Sequence, residues 1–199
     1  MLRATLAGLM AAFVLLGGVP ALAQSSTRVS VEVSGGYLLL GGDAFAATDD
    51  GMGFEAQLRL GFRGGSGLGI GYYRSKHSVP ALPEDIAMSS VFADVRYYLP
   101  VESRLRPYVA ARLGLMQKGT EVLIPFTGPV EGKARGTLVG AGAGLSYMVT
   151  SAIDVMLAAG YDLTFFGDSD YQGERFSDTS ANGSVLGVRL GVSVGFGGR

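Results

Sequence analysis

The sequence has no cysteine, no tryptophan and a single histidine. Without cysteine there is no disulfide, thiolate nucleophile, zinc-thiolate centre or lipid-modified cysteine. Charge is sparse: Asp, Glu, Lys and Arg make up 17% of 199 residues, below the roughly 25% of soluble proteins. The net charge of −1 gives no electrostatic case for nucleic acid. Long hydrophobic runs are missing too. After residue 20 no stretch stays apolar for the roughly 18 residues a membrane helix requires. Yet 48% of the chain is hydrophobic, and 32 residues are glycine, about twice the usual share.

Residues 1–23 differ from the rest. Arg3 precedes the apolar run LAGLMAAFVLLGGV, and Ala21-Leu22-Ala23 follows. A positive start, an apolar centre and an A-x-A site make a secretory signal peptide. The mature chain is expected to begin at about Gln24, so the domains are a signal peptide over 1–23 and one domain over 24–199.

The glycines are patterned. TLVGAGAGLSYMV, residues 137–149, has glycine at 140, 142 and 144 with alanine or valine between. It matches no nucleotide loop, because neither G-x-G-x-x-G nor a terminal Gly-Lys-Ser/Thr is present. A period of two is a strand signature. Seven other segments alternate likewise. Val29, Val31, Val33, Tyr37 and Leu39 oppose Ser30, Glu32 and Ser34. Phe54, Ala56, Leu58, Leu60 and Phe62 oppose Glu55, Gln57, Arg59 and Arg63. Further strands are centred on residues 67–73, 91–99, 108–115, 153–163 and 186–196. Strands of about ten residues are long for a soluble sandwich. The polar faces hold glycine, tyrosine and isolated charges, which suits a filled barrel interior, and the nearly charge-free apolar faces suit lipid.

The connections alternate too. Short ones follow strands two, four and six (RGGSG, PVESR, VTS). Long ones follow strands one, three, five and seven: GGDAFAATDDG, SKHSVPALPEDIAM, KGTEVLIPFTGPVEGKA and GDSDYQGERFSDTSANG. Periplasmic turns and extracellular loops give this asymmetry in an outer-membrane barrel. Aromatics mark two girdles: Phe62, Tyr97, Tyr147 and Phe196 at the turn ends, and Tyr37, Phe54, Tyr72 and Tyr161 near the loop ends. The expected fold is all-β, an eight-stranded antiparallel transmembrane up-and-down barrel.

With these features, and with VRYYLPVESRLRPYVAARLG (an aromatic strand end, a Pro-containing turn and a Pro-Tyr-Val strand start), the chain resembles the small outer-membrane barrel domains of the OmpA and OmpX type. The resemblance covers about residues 27–197. It implies a Gram-negative outer membrane location, export and barrel-insertion machinery, and outer-membrane lipids as surroundings. Family barrels usually end on a C-terminal aromatic; here Gly197, Gly198 and Arg199 follow Phe196.

Inside, Glu32, Glu55, Asp94, Asp154 and Asp162 face Arg59, Arg96, Arg112 and Arg189. Isolated buried charges are very costly, so a locked charge network is expected. Glu32 with Arg59, Asp94 with Arg112, and Asp162 with Arg189 lie at similar heights on neighbouring strands. His77, near Ser75, Ser78, Glu84 and Asp85, reads as a solvated loop side chain and not as a catalytic base. DSDYQGE, residues 168–174, only partly matches a calcium loop, with Thr179 where the bidentate glutamate belongs. VLIPF, residues 122–126, is an apolar loop segment that packs on its neighbours or meets a partner. The expected protein is a monomeric barrel with a filled lumen, no catalytic residues, no cofactor and no metal, and a structural or cell-surface role toward an extracellular ligand or host surface. The alternatives are a narrow channel for ions or small apolar molecules, as in OmpW-like barrels, and, third, a lipid-modifying enzyme.

Overall fold

In the computed structural model, the described residues are 28–80, 85–124, 128–171 and 174–196, with side chains described except at 120–131 and 168–180. Eight antiparallel strands run in chain order: β1 (Arg28–Gly41), β2 (Gly51–Gly61), β3 (Ser66–His77), β4 (Ile86–Tyr98), β5 (Leu105–Ile124), β6 (Gly128–Met148), β7 (Ile153–Tyr171) and β8 (Glu174–Phe196). Each pairs with its sequence neighbour, and β1 pairs with β8, for example Val33 with Val192, so the sheet closes into a barrel. Closure leaves no unpaired edge, which lets a sheet stand in hydrocarbon.

The alternation sets the two faces. Leu58, Ile70 and Leu190 expose 48%, 59% and 62% of their surface. In a soluble protein this all-round apolar exterior would be a severe liability; facing acyl chains it is the stable arrangement. The opposite parity is buried, including Glu32, Gln57, Arg59, Asp94, Arg96 and Arg189.

One end has the short turns. Between β2 and β3, Gly64 and Gly65 have φ of 86° and 83°, and Phe62 N–H donates to Ser66 O at 2.8 Å. Two successive left-handed residues favour glycine at both places. At the other end, the first connection folds inward. A 3-10 turn, Asp43–Phe45, drives Phe45 into the barrel mouth.

Two of the expected long loops are mostly strand. β5 continues to Ile124 and β6 starts at Gly128; β7 continues to Tyr171 and β8 starts at Glu174. Beyond Gly119, β5 has lost its β4 partner and pairs with β6 alone. Thr120, Val122, Ile124 and Val130 have the β-branched shape that favours pairing. Gly and Pro near the tip obscured this in the sequence. Of VLIPF, residues 122–124 belong to β5, and the rest lies outside the described residues. Asp168 and Asp170 lie on β7 and Glu174 opens β8, and residues 172 and 173 of that segment lie outside the described residues.

Candidate functional site

The lumen is filled in layers. At the turn end, Asp154 meets Arg106 at 3.2 Å and Arg28 at 3.6 Å. Above it, Glu32 accepts from Arg59 at 3.2 Å and from Arg96 at 3.0 Å, and Gln57 Nε2 donates to the same carboxylate at 2.9 Å. Arg96 also lies 4.2 Å from the Tyr108 ring centre and donates to Tyr98 Oη at 3.1 Å. Higher still, Glu55 accepts from Arg112 at 2.9 Å, and Arg189 lies 3.6 Å from Glu55 and 3.4 Å from Asp162.

The sequence had put Asp94 level with Arg112, and they are register partners. The ion pair is different: Asp94 binds Arg59 at 2.8 Å, and Arg112 turns to Glu55. The cause is a row of register partners running Arg59, Gly69, Asp94, Arg112, Gly140, Asp162 across β2 to β7. A Cβ at Gly69 would strike the Asp94 carboxylate, and one at Gly140 the Asp162 carboxylate. Glycine at these two rungs lets charged groups span a missing side chain. A third glycine, Gly144, gives its place to the Tyr108 ring. Arg28 and Arg106 were missed in the sequence, although strand parity puts both on the inward face with Glu32 and Tyr108. They complete the shell around Asp154.

Above the charges lies an apolar cap. Leu38, Phe45, Tyr73, Met88, Phe92, Met116, Leu138, Phe166 and Val185 form one buried cluster. Phe45 meets Phe166 edge-on at 5.9 Å. Lys118 Nζ donates to Ala44 O at 2.9 Å and lies 5.2 Å from the Phe45 ring centre, which clamps the first loop over the mouth. A void at mid-height, bordered by Glu55, Arg96, Tyr108, Arg112 and Arg189, has a volume of about 40 Å³, and one beneath the cap about 10 Å³. Such spaces hold a few waters at most.

His77 is not solvated as the sequence suggested. It is 1% exposed, because β3 extends to it and the first loop folds across it. Its Nε2 is 2.8 Å from Ser75 Oγ and its Nδ1 is 3.1 Å from Asp49 O. Ser75 is equally buried. A hydroxyl, an imidazole and an orienting carbonyl are thus brought together at a buried position. Among the described residues no group of three or more His, Asp and Glu side chains is placed to hold a metal ion.

On the outer wall, Tyr37, Phe54, Tyr72, Tyr97, Tyr147, Tyr161 and Phe196 are exposed, and Phe62 is half-buried. Phe165 is exposed as well, an outward aromatic beyond the Tyr161 level of the expected girdle.

A closed barrel with an apolar exterior and a charged, packed interior defines a protein that crosses a membrane by strands. The chain belongs to the outer membrane protein beta-barrel domain family, whose family model matches residues 9–196, and it is an outer-membrane protein of the Gram-negative type. Its structure is similar to neisserial surface protein A, with a TM-score of 0.59 and 23% identity over 84% of this chain and 97% of that one. It is also similar to a major outer membrane protein from Thermus thermophilus, with a TM-score of 0.58 and 14% identity over 85% and 99%. A third is Ail, the attachment invasion locus protein of Yersinia pestis, in complex with the heparin analogue sucrose octasulfate, with a TM-score of 0.52 and 14% identity over 86% and 99%. At these identities the likeness is one of fold. No curated protein matches the chain.

Proposed function

We propose that this protein is a closed, monomeric barrel with a structural or cell-surface role, neither an open pore nor an enzyme. Residues 1–23 serve as its export signal, and its exposed aromatics form the two interfacial girdles. The observation that carries this reading is the double filling of the lumen. Ion pairs occupy the lower and middle levels, and the apolar cluster with Phe45 blocks the mouth. Eight strands leave an interior about wide enough for side chains, and here the side chains take it up. A conducting path would have to part buried ion pairs, each strongly unfavourable to break. The Ser75–His77 pair supports a packing role for the same reason: it is sealed beneath the first loop. With the lumen closed, interaction falls to the extracellular connections. Ail, of similar fold, has been crystallised with a heparin analogue, which supports an extracellular ligand or host surface for this chain as well.

Planar-bilayer recording tests the reading. Purified wild-type protein is expected to pass no steady current. Replacement of Arg59, Arg112 and Arg189 together by alanine removes much of the plug and is expected to give leak currents. Large, stable single-channel currents from the wild type would instead establish the narrow-channel alternative.

A further inference from the structure

The first connection, residues 42–50, lies across the one histidine of the chain. We infer that this connection is an acid-released lid, which closes the barrel mouth while His77 is neutral and lifts when His77 takes up a proton.

His77 is the last residue of β3, beyond the outward, exposed Arg74 and Lys76. Outward cations are tolerated only near the interface, so this end of the strand has left the hydrocarbon. The ring points inward and folds over Gly51, its register partner on β2; a Cβ at Gly51 would strike Nδ1. The contact with Asp49 O fixes the tautomer. A carbonyl only accepts, so Nδ1 carries the hydrogen, and Nε2 of the neutral ring accepts from Ser75 Oγ. The adjoining Asp49 N–H donates to Ser78 O at 2.8 Å. The neutral imidazole thus anchors the end of the loop, as Phe45 anchors its start.

A second positive charge beneath the loop has no counterpart. From β5, Lys118 already brings an ammonium there, held by Ala44 O, Thr48 Oγ1 and the Phe45 ring, none of them a carboxylate. In the loop, Asp50 Oδ1 accepts from Leu40 N–H at 2.8 Å, and Asp49 offers the ring its carbonyl. Before β4, Asp85 Oδ1 accepts from Ser78 Oγ at 3.4 Å. On β3 itself, Lys76 faces outward, and Tyr73 and Ser75 lie inward below the ring. Both ring nitrogens therefore meet neutral oxygens, and on protonation Ser75 can no longer donate to Nε2.

Burial holds the imidazole below its usual range, and Lys118 pushes the same way, against the Asp49 carbonyl and the Asp50 charge. With the loop lifted, the ring is in water and takes its ordinary pKa, about 6.5. The lifted form then binds more protons than the closed form. Closure is at full strength above about pH 6.5, weakens as the pH falls below that value, and levels off once the closed form protonates too. Lifting uncovers Ser75 and the apolar cluster around Phe166. The ion pairs lie deeper, so release of the lid does not depend on whether the lumen conducts.

The test uses full-length protein refolded in detergent micelles. Amide hydrogen exchange, corrected for the intrinsic rate at each pH, reads the loop at Thr48 and Asp49, whose N–H groups donate to Phe45 O and Ser78 O. From about pH 7.5 to about pH 5.5 their protection is expected to fall several-fold, toward a limit of about tenfold set by one pH unit below the ordinary imidazole value. Protection at Val33, in the middle of β1, should not change. His77→Gln, neutral throughout, should lose the response. Asp50→Asn, which keeps an oxygen for the Leu40 N–H, should retain it. A second measurement leaves the ring in place. With one histidine in the chain, NMR titration reads its pKa directly, and Phe45→Ala, which frees the loop, should raise that pKa toward about 6.5. Constant protection in the wild type, an equal acid response in His77→Gln, loss of the response in Asp50→Asn, or the same imidazole pKa in Phe45→Ala and wild type would each overturn the lid.

Discussion

The Asp94 carboxylate lies 2.8 Å from the guanidinium of Arg59, two strands away, and the rung between them is Gly69. The glycine acts as a gap of defined size. Gly69→Ala adds a methyl where the carboxylate sits, and overpacking of this kind costs about 1–3 kcal/mol. Part of that loss comes from weakening a buried pair that cannot find water. Gly119→Ala is the comparison, since its nearest neighbours would be 3.9 and 4.0 Å away. Urea unfolding of the refolded protein in bilayers should show a clear loss for the first and almost none for the second. Equal stability of the two would mean that the row of alternating charge and glycine is not what holds the interior.

Leu58 tests the opposite face. It lies midway between Phe54 and Phe62, points outward and is half exposed. Leu58→Arg should cost about 2–4 kcal/mol, the range for a cation at the bilayer midplane of a barrel. Glu102→Arg, in an exposed turn, should stay within about 0.5 kcal/mol of the wild type. The same unfolding measurement checks both.

The barrel was legible in the sequence because a period of two survives the closure of the sheet. Val31, Leu58, Ile70 and Leu190 announce the lipid face at every second residue, and the short turns and long connections fix the strand count. The ion-pair partners were less legible. Height along the strands placed Asp94 with Arg112, but the partner is set by which rung lacks a side chain, and Gly69 opens the way to Arg59. Loop structure was the least legible. Phe45 and His77 read as loop residues, and both are buried because the first connection folds inward. That fold depends on tertiary contacts with Phe166 and Lys118, from β7 and β5, which no local pattern encodes.

Orientation follows from the two kinds of connection. Ala47, in the exposed part of the first loop, should react as Ala47→Cys with an impermeant thiol reagent on intact cells. Ser103→Cys, in the turn between β4 and β5, should react only after the outer membrane is permeabilised. The native chain has no cysteine to give a background. Labelling of the Ser103 variant alone on intact cells would invert the barrel.

Phe45 is the side chain through which the first loop is anchored in the mouth. It packs edge-on against Phe166, and the neighbouring Ala44 carbonyl accepts from Lys118. Asp49 and Asp50 then tie the loop to Ser78 and Leu40, and Asp49 O lies within hydrogen-bond distance of His77. Removal of the ring leaves a cavity in a packed cluster, and Phe→Ala changes of this kind cost about 3–5 kcal/mol. Much of that cost can be avoided if the loop lifts away locally instead of the barrel unfolding, because local opening draws on the weakest part of a structure. Ser75 reports which occurs, being sealed beneath the loop at 2% exposure. Ser75→Cys alone should be inert to a water-soluble thiol reagent. Combined with Phe45→Ala it should react at least tenfold faster, while the strand signal in circular dichroism is unchanged. Fast labelling of Ser75→Cys without the second substitution would show that the mouth is open in the native protein, and the closed-lumen reading would lose its upper barrier.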